Sequence, residues 1–319
     1  MNYIILSILI SFLLSILIGL LLIPILKILK FGQNIKNEAP KSHKKKAGVP
    51  TIGGLIFILS SVLTLPFFIK GYNNEVIVVL MAFMGFALIG LFDDLLKIAH
   101  KKNEGLTSMQ KMLLQIFISS FFAFYIFLDP TISKSILIPF CNSSLKLGAL
   151  YIPFVLFFYL SVTNAVNFTD GVDGLATSVT LIIIVFFTIV SFALGHYKLS
   201  IFCGIVAGSL LGFLRFNSYP AKVIMGDTGS LALGGVVATV AIILNLEITI
   251  IIIGAIYVIE TLSVVLQIAS IRLTGKRIFT IAPIHHALEL SGWHESKIVS
   301  VFSIITIVMC LIAFLYLPL

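Results

Sequence analysis

The chain is poor in charge. Only 11% of its 319 residues are Asp, Glu, Lys or Arg, and 59% are hydrophobic, whereas soluble domains run about one quarter charged and about half apolar. With a mean hydropathy of +1.16, an ordinary soluble domain is excluded. Cysteine is also scarce: Cys141, Cys203 and Cys310 lie far apart and fit neither a zinc-ligand spacing nor a disulfide framework. The sequence has no GxxxxGK[ST] loop and no GxGxxG fingerprint, so any bound nucleotide is held by other devices. It has no internal repeat, low-complexity tract or separate soluble segment, and residues 1–319 read as one integral membrane domain.

What the chain does have is long apolar runs. Crossing ~30 Å of hydrocarbon takes ~20 apolar residues in a helix. Such runs predict an all-α polytopic membrane protein with ten transmembrane helices, at about 3–27, 52–70, 76–96, 110–128, 148–165, 174–195, 199–216, 230–245, 248–270 and 298–317. The first run lacks a basic leading region and a small-residue cleavage site and is too long for a signal core, so it is expected to remain as a helix.

The formal charge of +8 alternates with the spans instead of covering one soluble face, which argues against nucleic acid as a partner. With the N-terminus outside, Lys27, Lys30, Lys36, Lys41 and Lys44 to Lys46 fall in the first inner connection. Lys97, Lys101, Lys102 and Lys111 fall in the second, Arg215 and Lys222 near the fourth, and Arg272, Lys276, Arg277 and Lys297 in the fifth. Only Lys70, Lys134, Lys146 and Lys198 lie outside. The positive-inside rule therefore predicts both termini outside the cytoplasm and the polar motifs within it. Residues 129–147 are expected to form a small outer surface structure, since LDP and the 142–144 stretch carry turn chemistry. LELSGWHESKI is expected to lie as one short amphipathic helix at the inner interface.

Five of the six aspartates cluster in three polar breaks: FDDLLK at 92–97, NAVNFTDGVDGLA at 164–176 and FNSYPAKVIMGDTGSLALGG at 216–235. Asp93 and Asp94 close an apolar helix beside Lys97, a set that can hold Mg²⁺, take a proton or offer charge to phosphate oxygens; charges marking a helix end are the plainer explanation. Asn164, Asn167, Asp170 and Asp173 recur at steps of three, with Gly171 and Gly174 relaxing the backbone. That pattern suits an interrupted helix lining a cavity, where amides and carboxylates can bind a base, a ribose or a metal's outer shell. Asp227 stands among glycines and hydroxyls before an apolar helix, so it is either a metal ligand or a helix N-cap. His285 and His286 lack zinc spacing and suit donation to phosphate or acid–base work. Glu260, the one acid inside an apolar run, shares a helix face with Gln267 and is either a functional group or a buried hydrogen-bond partner.

Together FDDLLK, NAVNFTDGVDGL, MGDTGSLALG and the HH loop resemble the polyprenyl-phosphate N-acetylhexosamine-1-phosphate transferase superfamily. Within it, PKSHKKKAGVPTIGG, TGKRIFTIAPIHHALELSGWHE and SVVLQ at 263–267 resemble the phospho-N-acetylmuramoyl-pentapeptide transferase (MraY) family, across residues 36–297. The resemblance implies ten spans in a homodimer of the bacterial cytoplasmic membrane, with an Mg²⁺-dependent cleft on the cytoplasmic face. It implies transfer of phospho-N-acetylmuramoyl-pentapeptide from UDP to undecaprenyl phosphate, giving lipid I and UMP.

By the same resemblance Asp227 would ligate Mg²⁺ and Asp93 would accept a proton or meet the lipid phosphate, with Asp94 beside it and His285 in the catalytic set. Lys46, Thr51, Asn167, Asp170, Gly171, Asp173 and Asn217 match uridine- and phosphate-pocket positions. Lys97, Lys111, Gln115, Gln267 and His286 match further polar positions of the cleft. Two positions depart from the family pattern. Ala287 stands where a third histidine is usual, and Ile224 stands where a phenylalanine often stacks on uracil.

Three alternatives stay open at this stage. A covalent aspartyl-phosphate scheme competes with direct attack by the lipid phosphate. A relative handling N-acetylglucosamine-1-phosphate is the rival substrate choice, although the PIHHALELSGWHE loop favours the muramoyl one. A cation-coupled transporter would place such carboxylates near the midplane of repeated halves, whereas all but Glu260 lie at the inner edge.

Overall fold

The computed structural model describes residues 1–29, 48–71, 73–100, 105–141 and 143–317. Twelve α-helices are described: α1 Asn2–Ile28, α2 Gly54–Phe68, α3 Asn74–Ala99, α4 Ser108–Leu128, α5 Tyr151–Thr169, α6 Leu175–Ala193, α7 Tyr197–Asn217, α8 Gly226–Ile243, α9 Thr249–Ile253, α10 Ala255–Thr274, α11 Ile284–Leu290 and α12 Glu295–Phe314. Among the described residues, nine helices are long and apolar enough to cross a membrane, and α2, at 15 residues, is shorter. The chain is an all-α polytopic membrane protein. Lipid offers no partners to backbone groups, so a spanning segment must satisfy them within its own helix.

Local chemistry sets several helix starts. The Asn73 side chain accepts from the Val76 N–H at the head of α3, and Thr107 with Gln110 forms a reciprocal capping box on α4. The expected outer surface structure is a two-stranded antiparallel hairpin, β1 Ser135–Leu137 against β2 Ser144–Lys146, with Ile136 opposite Leu145.

α8 is the buried centre, with its most extensive packing on α3 and further contacts on α5, α2 and α6. Close approach is what brings the site together here. A Cβ on Gly90 of α3 would lie 2.1 Å from the Asp227 carbonyl oxygen, so only glycine lets the α3 backbone touch the start of α8. The contact places Asp93 and Asp94, one turn further along α3, beside Asp227.

Four expectations change. α5 runs through Asn164 and Asn167 to Thr169, and the polar stretch ends one helix instead of interrupting one. α8 begins at Gly226, so Asp227 lies in its first turn and Met225 is the N-cap residue. The span expected at 248–270 is divided at Gly254 into α9 and α10. LELSGWHESKI is not one helix: α11 stops at Leu290, Gly292 turns the chain at φ +94°, and Glu295 opens α12.

Candidate active site

One end of the bundle gathers the C-terminal turns of α3, α5, α7 and α10 with the N-terminal turns of α4, α8 and α12. Carboxylate oxygens of Asp93, Asp94 and Asp227 lie within 4.8 Å of one another there. Lys97 Nζ is 2.5 Å from both Asp93 Oδ2 and Asp227 Oδ2 and 3.6 Å from Asp94 Oδ1. Lys111 Nζ, from the first turn of α4, is 3.2 Å from Asp227 Oδ2. Three formal carboxylates against two ammonium groups leave one negative charge uncompensated. The pairs are partly buried, with Lys97 and Lys111 side chains 31% and 18% exposed, so water screens them less than surface pairs.

The three aspartates do different work. Asp94 is buried, and its Oδ2 accepts from the Thr228 N–H at 2.9 Å and the Thr228 hydroxyl at 2.7 Å, while Oδ1 accepts from the Asp227 N–H at 3.3 Å. It caps α8 from another helix, satisfying amide groups that a helix start leaves unpaired. The N-cap alternative for Asp227 is thereby excluded, and its carboxylate is left to face Lys97, Lys111 and Asn167. Asn167 Nδ2 donates to Asp227 Oδ1 and, at 2.8 Å, to Ser230 Oγ. Asp93 accepts from the Leu106 N–H at 2.8 Å through Oδ1 and meets Lys97 through Oδ2.

Around this cluster the expected pocket residues divide into two groups. Lys97, Lys111, Asn167 and Thr51 come together at the carboxylates, with Thr51 Oγ1 2.9 Å from where a Gly226 Cβ would stand. Gln115 is buried deeper, accepting from Asn164 Nδ2 at 2.9 Å. Asp170 caps the C-terminus of α5, half-buried at the mouth of the turn. Lys46 lies outside the described residues.

Three other expected binding residues hold loops in this structure. Asn217 accepts from the Thr177 hydroxyl at 2.6 Å and donates to the Val223 carbonyl at 3.1 Å. Gln267 accepts from the Ile278 and Phe279 N–H groups at 3.1 and 2.9 Å and donates to the Phe279 carbonyl at 2.9 Å. Asp173 Oδ2 accepts from the Ala221 N–H at 2.9 Å, tying the turn after α5 to the loop after α7.

The two histidines part company. His286 is partly exposed, with Nδ1 2.7 Å from Glu289 Oε2. His285 is fully buried, with Nδ1 3.0 Å from Glu260 Oε2, itself fully buried. The other edge of the His285 ring lies against Gly171, where an added Cβ would stand 2.1 Å from Nε2. His285 has no exposed surface and packs behind the 170–174 turn at Gly171. Glu260 thus faces a buried histidine, and its carboxylate oxygens accept no hydrogen bond among the described residues.

The position of Ile224 is fixed by its backbone. Its N–H donates to the Pro50 carbonyl at 2.9 Å, and its carbonyl accepts from the Gly53 N–H at 2.9 Å, which sets it beside Thr51. Sequence reasoning missed two contributors, the Leu106 amide and Glu295. The amide carries no side-chain signal, and Glu295 reads as an ordinary acid in the first turn of a helix.

The described residues thus form a helical membrane protein with a lysine-bridged carboxylate cluster at one end, and similarity to known sequences gives its family. The model of glycosyl transferase family 4 matches residues 76–245, a stretch that contains all three clustered aspartates. The phospho-N-acetylmuramoyl-pentapeptide-transferase of Clostridium novyi (strain NT) is 55% identical over 315 residues, covering 99% of this chain and 97% of the relative. The enzyme of the same name from Clostridium perfringens (strain 13 / Type A) is 57% identical over 311 residues, 98% of each chain. That from Clostridium acetobutylicum is 54% identical over 316 residues, 99% of each. The chain belongs to the phospho-N-acetylmuramoyl-pentapeptide-transferase family.

Proposed function

We propose that the chain transfers phospho-N-acetylmuramoyl-pentapeptide from its UDP carrier to undecaprenyl phosphate, releasing UMP and forming lipid I for peptidoglycan. The observation that carries the reading is the cluster of Asp93, Asp94 and Asp227 with Lys97 and Lys111, in a chain alike over nearly its whole length to enzymes of that name.

The reaction brings two phosphate anions together, so the site must offset their repulsion. The donor set fits Mg²⁺: it is all oxygen and carries an uncompensated charge, and a cationic group, Lys97 Nζ, already sits between Asp93 and Asp227. Asp227 would hold the ion with Asp93 nearby, while the oxygens of Asp94 stay committed to Thr228 and Asp227 amides. Bound there, Mg²⁺ would neutralise charge on the diphosphate and on departing UMP. Lys97 and Lys111 add cationic donors for phosphate oxygens, and Asn167 orients the Asp227 carboxylate. Asp93 takes any proton from the lipid phosphate, whose oxygen attacks the sugar-bearing phosphorus directly.

The carrier's uridine fits beside Thr51, Asp170 and the aliphatic side chain of Ile224. An apolar groove of about 550 Å³ along α5 and α10, lined by Phe154, Phe158, Val162, Leu262 and Val265, suits a prenyl chain. We place the carboxylate end in the cytoplasm, because Arg215, Lys222, Arg272 and Lys297 stand at that end and Lys134, Lys146 and Lys198 at the other. With α2 counted, ten spans put both termini outside. The chain then forms one catalytic unit of the bacterial cytoplasmic membrane, assembled as a homodimer.

The test is UMP release by the purified chain in detergent with Mg²⁺ and undecaprenyl phosphate. Release from UDP-N-acetylmuramoyl-pentapeptide but not from UDP-N-acetylglucosamine, abolished in Asp227→Asn, is the expected result. Release from the acetylglucosamine substrate alone would overturn the substrate, and release from neither would overturn the transferase reading.

A further inference from the structure

The first turn of α12 grips the site's loops without reaching the carboxylate cluster. Glu295 is buried, and its Oε2 accepts from the Asp173 N–H at 3.2 Å. The Asp173 carboxylate in turn accepts from the Ala221 N–H at 2.9 Å. One residue earlier, the His294 ring meets Tyr219 edge-on, with centroids 4.7 Å apart. The turn after α5 and the loop after α7 are therefore held to one another, and both are held to the start of α12. A few residues further on, that loop delivers Ile224 and then Asp227.

We propose that Glu295 is a positioning residue for the nucleotide end of the substrate. The proposal rests on the transferase reading above. Its physical basis is that a loop's conformation is only as fixed as its tethers. The 218–223 loop has tethers of its own on α7, at Asn217 and through the Lys222 N–H to the Phe216 carbonyl at 2.7 Å. Glu295 ties the start of α12 to the 170–174 turn, which carries Asp170 and backs onto His285 through Gly171. Without it, the 170–174 turn keeps its link to the 218–223 loop through Asp173 and Ala221 but loses its anchor on α12, and the substrate must order that turn when it binds. That cost falls on ground state and transition state alike, so it raises KM and leaves kcat in place. The carboxylate cluster has its own supports in Thr228, Asn167 and Leu106, so the Mg²⁺ requirement is independent of Glu295.

Three variants of the full chain separate this role from general stability. Glu295→Gln keeps an acceptor oxygen at the same reach, Glu295→Asp keeps the charge but falls short by one methylene, and Glu295→Ala removes both. In UMP-release assays with UDP-N-acetylmuramoyl-pentapeptide, we expect Asp and Ala to raise KM about tenfold, as for a lost charge-assisted hydrogen bond. Gln should return KM to near the parent value. kcat and the Mg²⁺ midpoint should match the parent in all folded variants. The same KM in Gln and Asp as in the parent would overturn the proposal, even where Ala fails to fold. So would a fall in kcat that follows the thermal unfolding midpoint with KM unchanged. A parent chain without UMP release would overturn the transferase reading and this proposal with it, whereas an active parent with insensitive variants would overturn this proposal alone.

Discussion

Asp94 on α3 caps the first turn of α8 through Thr228, taking both its amide and its hydroxyl at 2.9 and 2.7 Å. The neighbouring aspartate of the same motif, Asp93, is turned instead toward Lys97 and the Leu106 amide. One dipeptide thus supplies a carboxylate that caps a neighbouring helix and one that faces the lysine.

This division predicts different losses. Asp94→Ala should lower the thermal unfolding midpoint in detergent as well as activity, since a lost cap costs about 1 kcal/mol and the buried Thr228 groups left unpaired add about 1–3 kcal/mol. Asp94→Asn, which keeps an acceptor oxygen, should recover most of that stability. Asp227→Asn should abolish UMP release while melting with the parent. An Asp94→Ala protein as stable as the parent would show that the cap contributes nothing.

Gly171 gives a further prediction. An alanine there would put its Cβ 2.1 Å from His285 Nε2, in a ring backed by Glu260 with no room to retreat. Gly171→Ala should cut UMP release at least about tenfold, in the range that small misplacements in a site produce. His285→Ala empties the colliding volume, so the double variant should lose less than the two single losses combined, as expected for residues in contact. Strict additivity across the four proteins would contradict the contact.

Another prediction concerns the far end of the bundle. Burial pushes the Glu247 carboxyl from its usual 4.5 up to about 7, with the Tyr151 hydroxyl donating to Oε1 at 3.0 Å. The folded protein therefore holds a proton that the unfolded chain releases. The resulting stability is fully present below pH 4.5, is lost as pH rises to about 7, and is flat beyond. A shift of this size amounts to roughly 3 kcal/mol. Thermal unfolding of the parent from about pH 5 to about pH 8 should show the decline. Glu247→Gln should remove that slope and leave the variant more stable than the parent at the alkaline end. Parallel curves for the two proteins would show that Glu247 is not the titrating group.

Much of the candidate site was legible in the polar breaks. Asp93, Lys97, Asn167 and Asp227 do meet at one end of the bundle, where Lys111, matched by resemblance, joins them, because helices of similar length that cross one layer bring their polar ends into register. Roles were harder to read. Asn217, Gln267 and Asp173 carry the same amide and carboxylate chemistry as the cleft residues, yet each also bonds loop backbone. Of the adjacent His285 and His286, which the sequence cannot tell apart, His285 is the buried one.

The sequence by itself determined that the chain is helical and membrane-embedded, where most helices begin and end, and which family it resembles. Hydrocarbon leaves a long apolar run no stable form except a helix, and motif chemistry is local. Only the tertiary structure decided which aspartate caps α8 and which face Lys97, that Gly171 backs onto His285, and that Glu295 holds Asp173. Asp94 and Thr228 are 134 residues apart and Asp173 and Glu295 are 122 apart. Periodicity fixes the faces of one helix, whereas the terminus it meets is set by how all the helices pack together.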